Sequence, residues 1–211
     1  MKKYNIFALL MLLIAPLCFM ACSENEDTVE EFPDWKNRNE AYFDNIYEKA
    51  MGIEDGSWKI IRNYSLEDTI PAGYADHIVV EVLEEGTGSG CPMFTDSVLV
   101  HYRGRLLPST SYSEGYVFDE SYDGEFNPQT ALPRQLYVGG LIDGFTTALQ
   151  YMHIGDRWRV YIPYQLGYGS TGSTGIPAYS TLVFDIALVA YYRPGVTPDP
   201  WYAKKGKWIT E

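Results

Sequence analysis

Leu141-Ile142-Asp143-Gly144-Phe145 opens the stretch that decides the fold, and Thr181-Leu182-Val183-Phe184-Asp185 closes it. Between them stand Leu166-Gly167-Tyr168-Gly169, the small polar loop 170–175, and Ile176-Pro177. Phe145, Ala148, Leu149 and Met152 recur at three and four residues, the period of a helix with one buried stripe. Asp143 is placed to cap that helix and Gly155 to close it. Trp158, Val160 and Ile162 then alternate with Arg157, Arg159 and Tyr161, which is the period of a strand. Residues 182–190 form a final strand, mostly apolar and therefore mostly buried.

Working outward, the chain upstream is strand after strand. Ile78-Val79-Val80-Glu81-Val82-Leu83 reads as one, followed by the loop 84–90. In the next strand Val98, Val100 and Tyr102 share a face opposite Leu99, His101 and Arg103. Trp58 to Tyr64 reads as a short strand, and 65–76, with Pro71-Ala72-Gly73, as a turn-rich connector. Many short strands with one helix near the end imply an α+β fold: an antiparallel sheet with the helix lying on one face.

A further helix is expected before the sheet. Pro33-Asp34 opens it, with Asp34 as cap, and Gly52 ends it. Trp35, Tyr42, Phe43, Ile46, Tyr47 and Ala50 give it one apolar stripe, to be covered by the domain or by a second copy of the chain. At the other end, Pro194, Pro198 and Pro200 take the chain out of the sheet, and Trp201, Tyr202 and Trp208 suggest a tail that folds back.

The first residues carry an address. Met1-Lys2-Lys3 is a positive region, Ile6 to Phe19 is apolar but too short to span a bilayer, and Phe19-Met20-Ala21-Cys22 follows. This looks like a bacterial lipobox, which would make Cys22 the lipid-bearing N-terminus after cleavage. An ordinary signal peptide is the alternative. The whole chain carries 16 Lys+Arg and 28 Asp+Glu, a net charge of -12. Losing Lys2 and Lys3 with the leader leaves 14 basic against 28 acidic residues, or -14. Such a chain will not seek nucleic acid, whose phosphates need a basic footprint. Cys91 is then the one cysteine neither removed nor lipidated, so no internal disulfide is expected. Residues 23–31, with Glu24, Glu26, Asp27, Glu30 and Glu31, read as a solvated tether facing the periplasm or, in some Gram-negative lipoproteins, going with display on the cell surface.

No nucleophile elbow, phosphate loop or His-Glu-x-x-His is present. His77, His101 and His153 lie on separate elements, so no metal site is expected. Asp119 and Asp185 are the one conceivable hydrolytic carboxylate pair, but nothing in the sequence sets their separation.

The ordered set Val100-His101-Tyr102, Val117-Phe118-Asp119, Leu141-Ile142 with Phe145, Leu166-Gly167-Tyr168-Gly169, Ile176-Pro177 and Phe184-Asp185 resembles the FKBP family of peptidyl-prolyl isomerases. The resemblance covers residues 78–191, a little over half of the chain. It implies an FKBP-like antiparallel β half-barrel wrapped around one short helix, here with an N-terminal helical extension. The organisation expected is a leader over 1–21, a tether over 22–32, the extension over 33–77, the FKBP-like domain over 78–192 and the tail over 193–211. It implies an isomerase, or rotamase, needing no cofactor and no metal. Tyr102, Phe118, Asp119, Tyr168 and Phe184 would be its catalytic residues. Leu141, Ile142, Phe145, Ile176 and, on a looser alignment, Phe126 would bind substrate. By that resemblance Phe145 floors the pocket, where the family most often has Trp, so altered or weaker activity is expected. Pro108 to Tyr116 lengthens the loop before Phe118, Asn127 to Arg134 is irregular, and the loop 170–175 is all small and polar, so specificity is expected to differ too.

The reaction suits such a pocket. Rotation about the amide faces a barrier of about 18–20 kcal/mol but breaks no bond. A dry aromatic bowl that holds the twisted amide better than either planar form is chemically sufficient. Two functions stay open on the sequence: a lipid-anchored envelope isomerase and folding chaperone for exported proteins, probed through their prolines, and a non-catalytic module using the same bowl to bind a proline-bearing partner. An assembly role through helix 34–51, including a homodimer, is compatible with both. The expected location is the cell envelope, on the outer membrane through the lipid on Cys22.

Overall fold

The computed structural model describes residues 30–196. Its elements are α1 (Trp35–Met51), β1 (Trp58–Arg62), β2 (His77–Glu84), β3 (Ser97–Arg105), β4 (Val117–Glu120), β5 (Arg134–Tyr137), α2 (Asp143–Leu149), β6 (Arg157–Ile162) and β7 (Leu182–Tyr192). The leader, nearly all of the tether, Cys22 and the tail aromatics lie outside the described residues.

The strands form one antiparallel sheet in the order β1-β2-β6-β7-β3-β4, with β5 added on β3. α2 lies on the inner face. Phe145, Ala148, Leu149 and Met152 are all buried and pack with Ile78, Val80, Trp158, Val160 and Ile162 in the main core. The helical period and the strand period thus meet in one layer, as their spacing predicts.

α1 covers the outer face. Phe43 and Ala50 bury against Val79 and Tyr161, the strand residues that point away from α2. Trp58 stacks on Tyr161 with centroids 5.8 Å apart. The open choice between domain and second copy for this stripe is therefore met by the domain. Asn39 contributes what periodicity cannot reveal. It is fully buried, its Oδ1 accepts from the Thr181 amide at 2.7 Å, and its carbonyl accepts from the Thr181 hydroxyl at 3.2 Å. Segment 33–77 is not a separate body either, because β1 pairs with β2 from Trp58↔Glu81 to Arg62↔His77.

Three helix-end readings need correction. Asp34 stands at the N-cap of α1 in a left-handed conformation (φ 48°), and its carboxylate accepts from the Asn37 side chain at 2.6 Å rather than from a backbone amide. Asp143 is the first residue inside α2; Ile142 occupies the cap, and Asp143 acts through its charge in the first turn. α2 stops at Leu149 with Gln150 as C-cap, and Gly155 (φ 96°) serves the later turn into β6.

The long ladder between β3 and β7 holds a bulge between Leu99 and Val100. Val100 pairs with Leu188 and Leu99 with Ala190, so Val189 is the extra residue. The bulge turns Ala190 and Tyr192 onto the outer face with Leu99, whereas Leu188 stays in the main core.

Candidate functional site

A cavity of about 420 Å³ opens at the end of α2 away from its C-terminus, between β3, β4, β5 and β7. Tyr102, Asp119, Leu141, Ile142, Phe145, Tyr168 and Phe184 line it together with Arg134, Leu136 and Gly140. Its size falls in the range of small-ligand sites.

The floor is built by close packing. Gly144 lets α2 sit hard on β6: a Cβ there would lie 2.3 Å from the Ile162 side chain. That approach drives the next residue, Phe145, under the cavity, where it is 4% exposed. Its ring meets Tyr102 edge-on at 5.8 Å and Phe184 edge-on at 5.1 Å, the offset geometry that aromatic quadrupoles favour. β3 and β7 set the other two rings, since Tyr102 pairs with Ile186 and Gly104 with Phe184. Phe118 stands behind this trio, with its ring edge-on to Phe184 at 5.3 Å. Gly104 leaves the room for both, since a Cβ on it would come within 2.7 Å of each ring.

The mouth is polar. The Tyr102 hydroxyl donates to Asp119 Oδ2 at 2.7 Å and accepts from Arg134 Nη1, which also donates to Asp119 Oδ1 at 3.2 Å. Burial, reinforced by the bond to Asp119, holds the Tyr102 hydroxyl far above the ordinary phenol range, so it keeps its proton and donates. Asp119 and Arg134 are each about half exposed, so their ion pair is screened; it orients the mouth more than it stabilises the fold. Tyr168 is also pushed up, by burial and by the nearby Asp119 charge, and remains a neutral donor at the rim. Among the described residues its hydroxyl has no hydrogen-bond partner, which leaves that proton free for a bound carbonyl.

Ile176 is buried in the adjoining core, 6% exposed, beneath the loop 170–175. Phe126 is elsewhere: its ring lies 5.2 Å from His101, which points to the other face of β3 from Tyr102, and Arg157 stacks on it. Asp185 is likewise on the outer face, clamped by Arg159 at 2.7 and 3.1 Å, so it forms no carboxylate pair with Asp119. Cys91 is partly buried, with its Sγ 3.9 Å from His153 Nε2, and its thiol is pushed up by burial and by Asp156, which makes it less reactive. Arg134, Leu136 and Gly140 were not singled out from sequence. Arg134 ends the irregular segment 127–134 and the other two follow it, where no long period marks a strand and only the alternation of Arg134 and Leu136 with Gln135 hints at one.

A sequence model described as FKBP-type peptidyl-prolyl cis-trans isomerase matches residues 89–189. The macrophage infectivity potentiator of Trypanosoma cruzi is 34% identical over 191 residues, which cover 90% of this chain and 86% of that protein. The FKBP-type 22 kDa peptidyl-prolyl cis-trans isomerase of Escherichia coli is 39% identical over 110 residues, 51% of this chain and 47% of its own length. The crystal structure of FkpA from E. coli superposes with a TM-score of 0.52 at 30% identity, covering 75% of this chain and 61% of that one. The aromatic floor, the donor-lined mouth and a match that runs through both the core domain and the N-terminal extension agree: the chain belongs to the FKBP-type peptidyl-prolyl cis-trans isomerase family.

Proposed function

We propose that the 420 Å³ cavity is where this isomerase grips the prolyl ring, and that its clients are exported polypeptides of the cell envelope. The observation that carries the reading is the pairing of a dry floor, Phe145 and Phe184, with a rim donor, Tyr168, that has no partner of its own among the described residues. In the ground state the amide is conjugated and its nitrogen is a poor acceptor. Twisting breaks conjugation and makes the carbonyl more ketone-like. A ring held on the floor, with a carbonyl held by Tyr168, favours that state over either planar one. The Tyr102–Asp119–Arg134 network fixes the wall beside it and lays an oriented negative group along the mouth. No covalent step is required.

The test is prolyl exchange on short X-Pro peptides with residues 23–211. Acceleration is expected, falling about tenfold or more in Phe118→Ala, which unseats Phe184, and several-fold in Tyr168→Phe, with both variants folded. Rates unchanged in both would remove these residues from the site. The envelope location rests on the leader and the lipobox-like Phe19-Met20-Ala21-Cys22. Cys22→Ala should move the protein from the membrane pellet to the soluble fraction, and continued sedimentation would sink the anchor. Protease treatment of intact cells distinguishes the two orientations: removal indicates surface display, protection a periplasmic face.

A further inference from the structure

Beside the cavity the chain holds large apolar side chains in the open. Met93, Phe94 and Tyr137 are 57%, 40% and 50% exposed. Phe94 and Tyr137 adjoin the rim itself. Gly140 lines the cavity, and a Cβ on it would meet the Tyr137 ring at 3.3 Å. On its neighbour Gly139 a Cβ would lie 2.8 Å from the Phe94 ring, so Phe94 lies directly on the backbone one residue from the cavity.

This ledge is held rigidly. The turn 93–96 is closed by Asp96, whose side chain is fully buried and accepts from the Met93 amide at 2.7 Å. The Asp96 carbonyl accepts from the Val138 amide at 3.0 Å, which pins the turn to the segment carrying Gly139 and Gly140. Tyr64 stacks on Phe94 at 5.5 Å, and its amide donates to Thr147 Oγ1 of α2 at 3.3 Å. An aromatic kept half in water by so many fixed contacts is preorganised to receive an apolar group rather than to bury itself.

From this geometry we infer that the ledge formed by Phe94 and Tyr137 is a second subsite of the cavity, which takes an apolar side chain of the same client polypeptide. The inference rests on the reading of the cavity as the prolyl site. Its occupant follows from continuity with that site. The residue before a proline is held extended, so a client leaves the cavity as a strand rising about 3.3 Å per residue. Its alternate side chains face the surface. A residue within about three positions of the proline therefore reaches the ledge. Selection of apolar flanks is what unfolded chains offer and folded surfaces mostly hide.

The experiment uses residues 23–211 and ten-residue peptides with a single proline. Leu or Ser is placed two, three or four residues away, on either side. The Leu peptide at the reaching position should show kcat/KM about three- to tenfold above its Ser counterpart. That ratio should fall toward one in Phe94→Ser and in Tyr137→Ser, each checked for folding by thermal melting. A ratio near one at every position in the wild type, or a ratio that survives in both variants, overturns the proposal. If no peptide is isomerised, the catalytic reading fails by itself. Dissociation constants of the same Leu and Ser peptides then decide the ledge: a Leu preference lost in the variants sustains it, and equal affinities overturn it.

Discussion

At the scale of single residues, a few buried polar atoms stand without a hydrogen-bond partner among the described residues, Asp96 Oδ1, Trp158 Nε1 and both ring nitrogens of His101 among them. His101 is 2% exposed and neither ring nitrogen has a hydrogen-bond partner among the described residues, although it neighbours Tyr102 in β3. Burial holds its pKa below the ordinary histidine value of 6.5. The unfolded chain therefore binds a proton near pH 6.5 that the folded chain refuses until its own lower pKa is reached. Across that window the unfolded state holds more protons, so stability rises with pH and is lost as pH falls from about 6.5. His101→Leu should remove this slope. It should also raise stability at neutral pH by about 1 kcal/mol, because two unbonded buried nitrogens disappear. Urea unfolding of wild type and variant from pH 7.5 down to 5 measures both effects. Parallel curves over that range would show that His101 finds a partner when protonated.

At the scale of elements, the sequence was most readable where one period or one apolar run is sustained. Residues 157–162 were legible as a strand because Trp158, Val160 and Ile162 alternate with Arg157, Arg159 and Tyr161, 78–83 and 182–190 because each is a nearly continuous apolar run, and α2 because Phe145, Ala148, Leu149 and Met152 keep helical spacing. The cavity's apolar walls were legible for the same reason: Tyr102 and Phe184 follow the inward phase of their strands. β5 was not, since four residues at an edge carry too little period to see, and Arg134 and Leu136 were missed with it. Helix ends misled where a carboxylate can bind a side chain as well as an amide, as Asp34 does with Asn37. Asn39 marks the other limit, since a polar residue on an apolar stripe looks like an error until its partner, 142 residues away, is known. Asn39→Ala leaves the Thr181 amide buried and unpaired, so a loss of about 1–3 kcal/mol is expected in chemical unfolding. A loss below about 0.5 kcal/mol would mean that water replaces the amide side chain.

At the scale of the whole molecule, the extension over 33–77 and the domain from 78 onward are expected to unfold as one cooperative unit. β2 has β1 on one side and β6 on the other, and Val79 and Tyr161 on the outer face are covered by Phe43 and Ala50 of α1. Trp35 reaches farther still, donating to the Ser180 hydroxyl at 2.9 Å just before β7 begins. Removing residues 31–77 would expose these positions and free one edge of β2. Trp35, Phe43 and Ile61 are each at least 93% buried. Their loss alone costs about 5–9 kcal/mol at roughly 1.5–3 kcal/mol for each such side chain. That is comparable with the entire stability of an ordinary domain, about 5–15 kcal/mol. A fragment of residues 78–196 is therefore expected to lack a cooperative thermal transition by near-ultraviolet circular dichroism, whereas 31–196 melts as one unit. The cavity lies on the inner face and touches none of the removed residues. If the fragment melted within a few degrees of 31–196 and isomerised peptides at the same rate, α1 and β1 would be appendages to a self-sufficient sheet. If it fails to fold, the extension is part of the machine that holds Phe145 and Tyr102 in place.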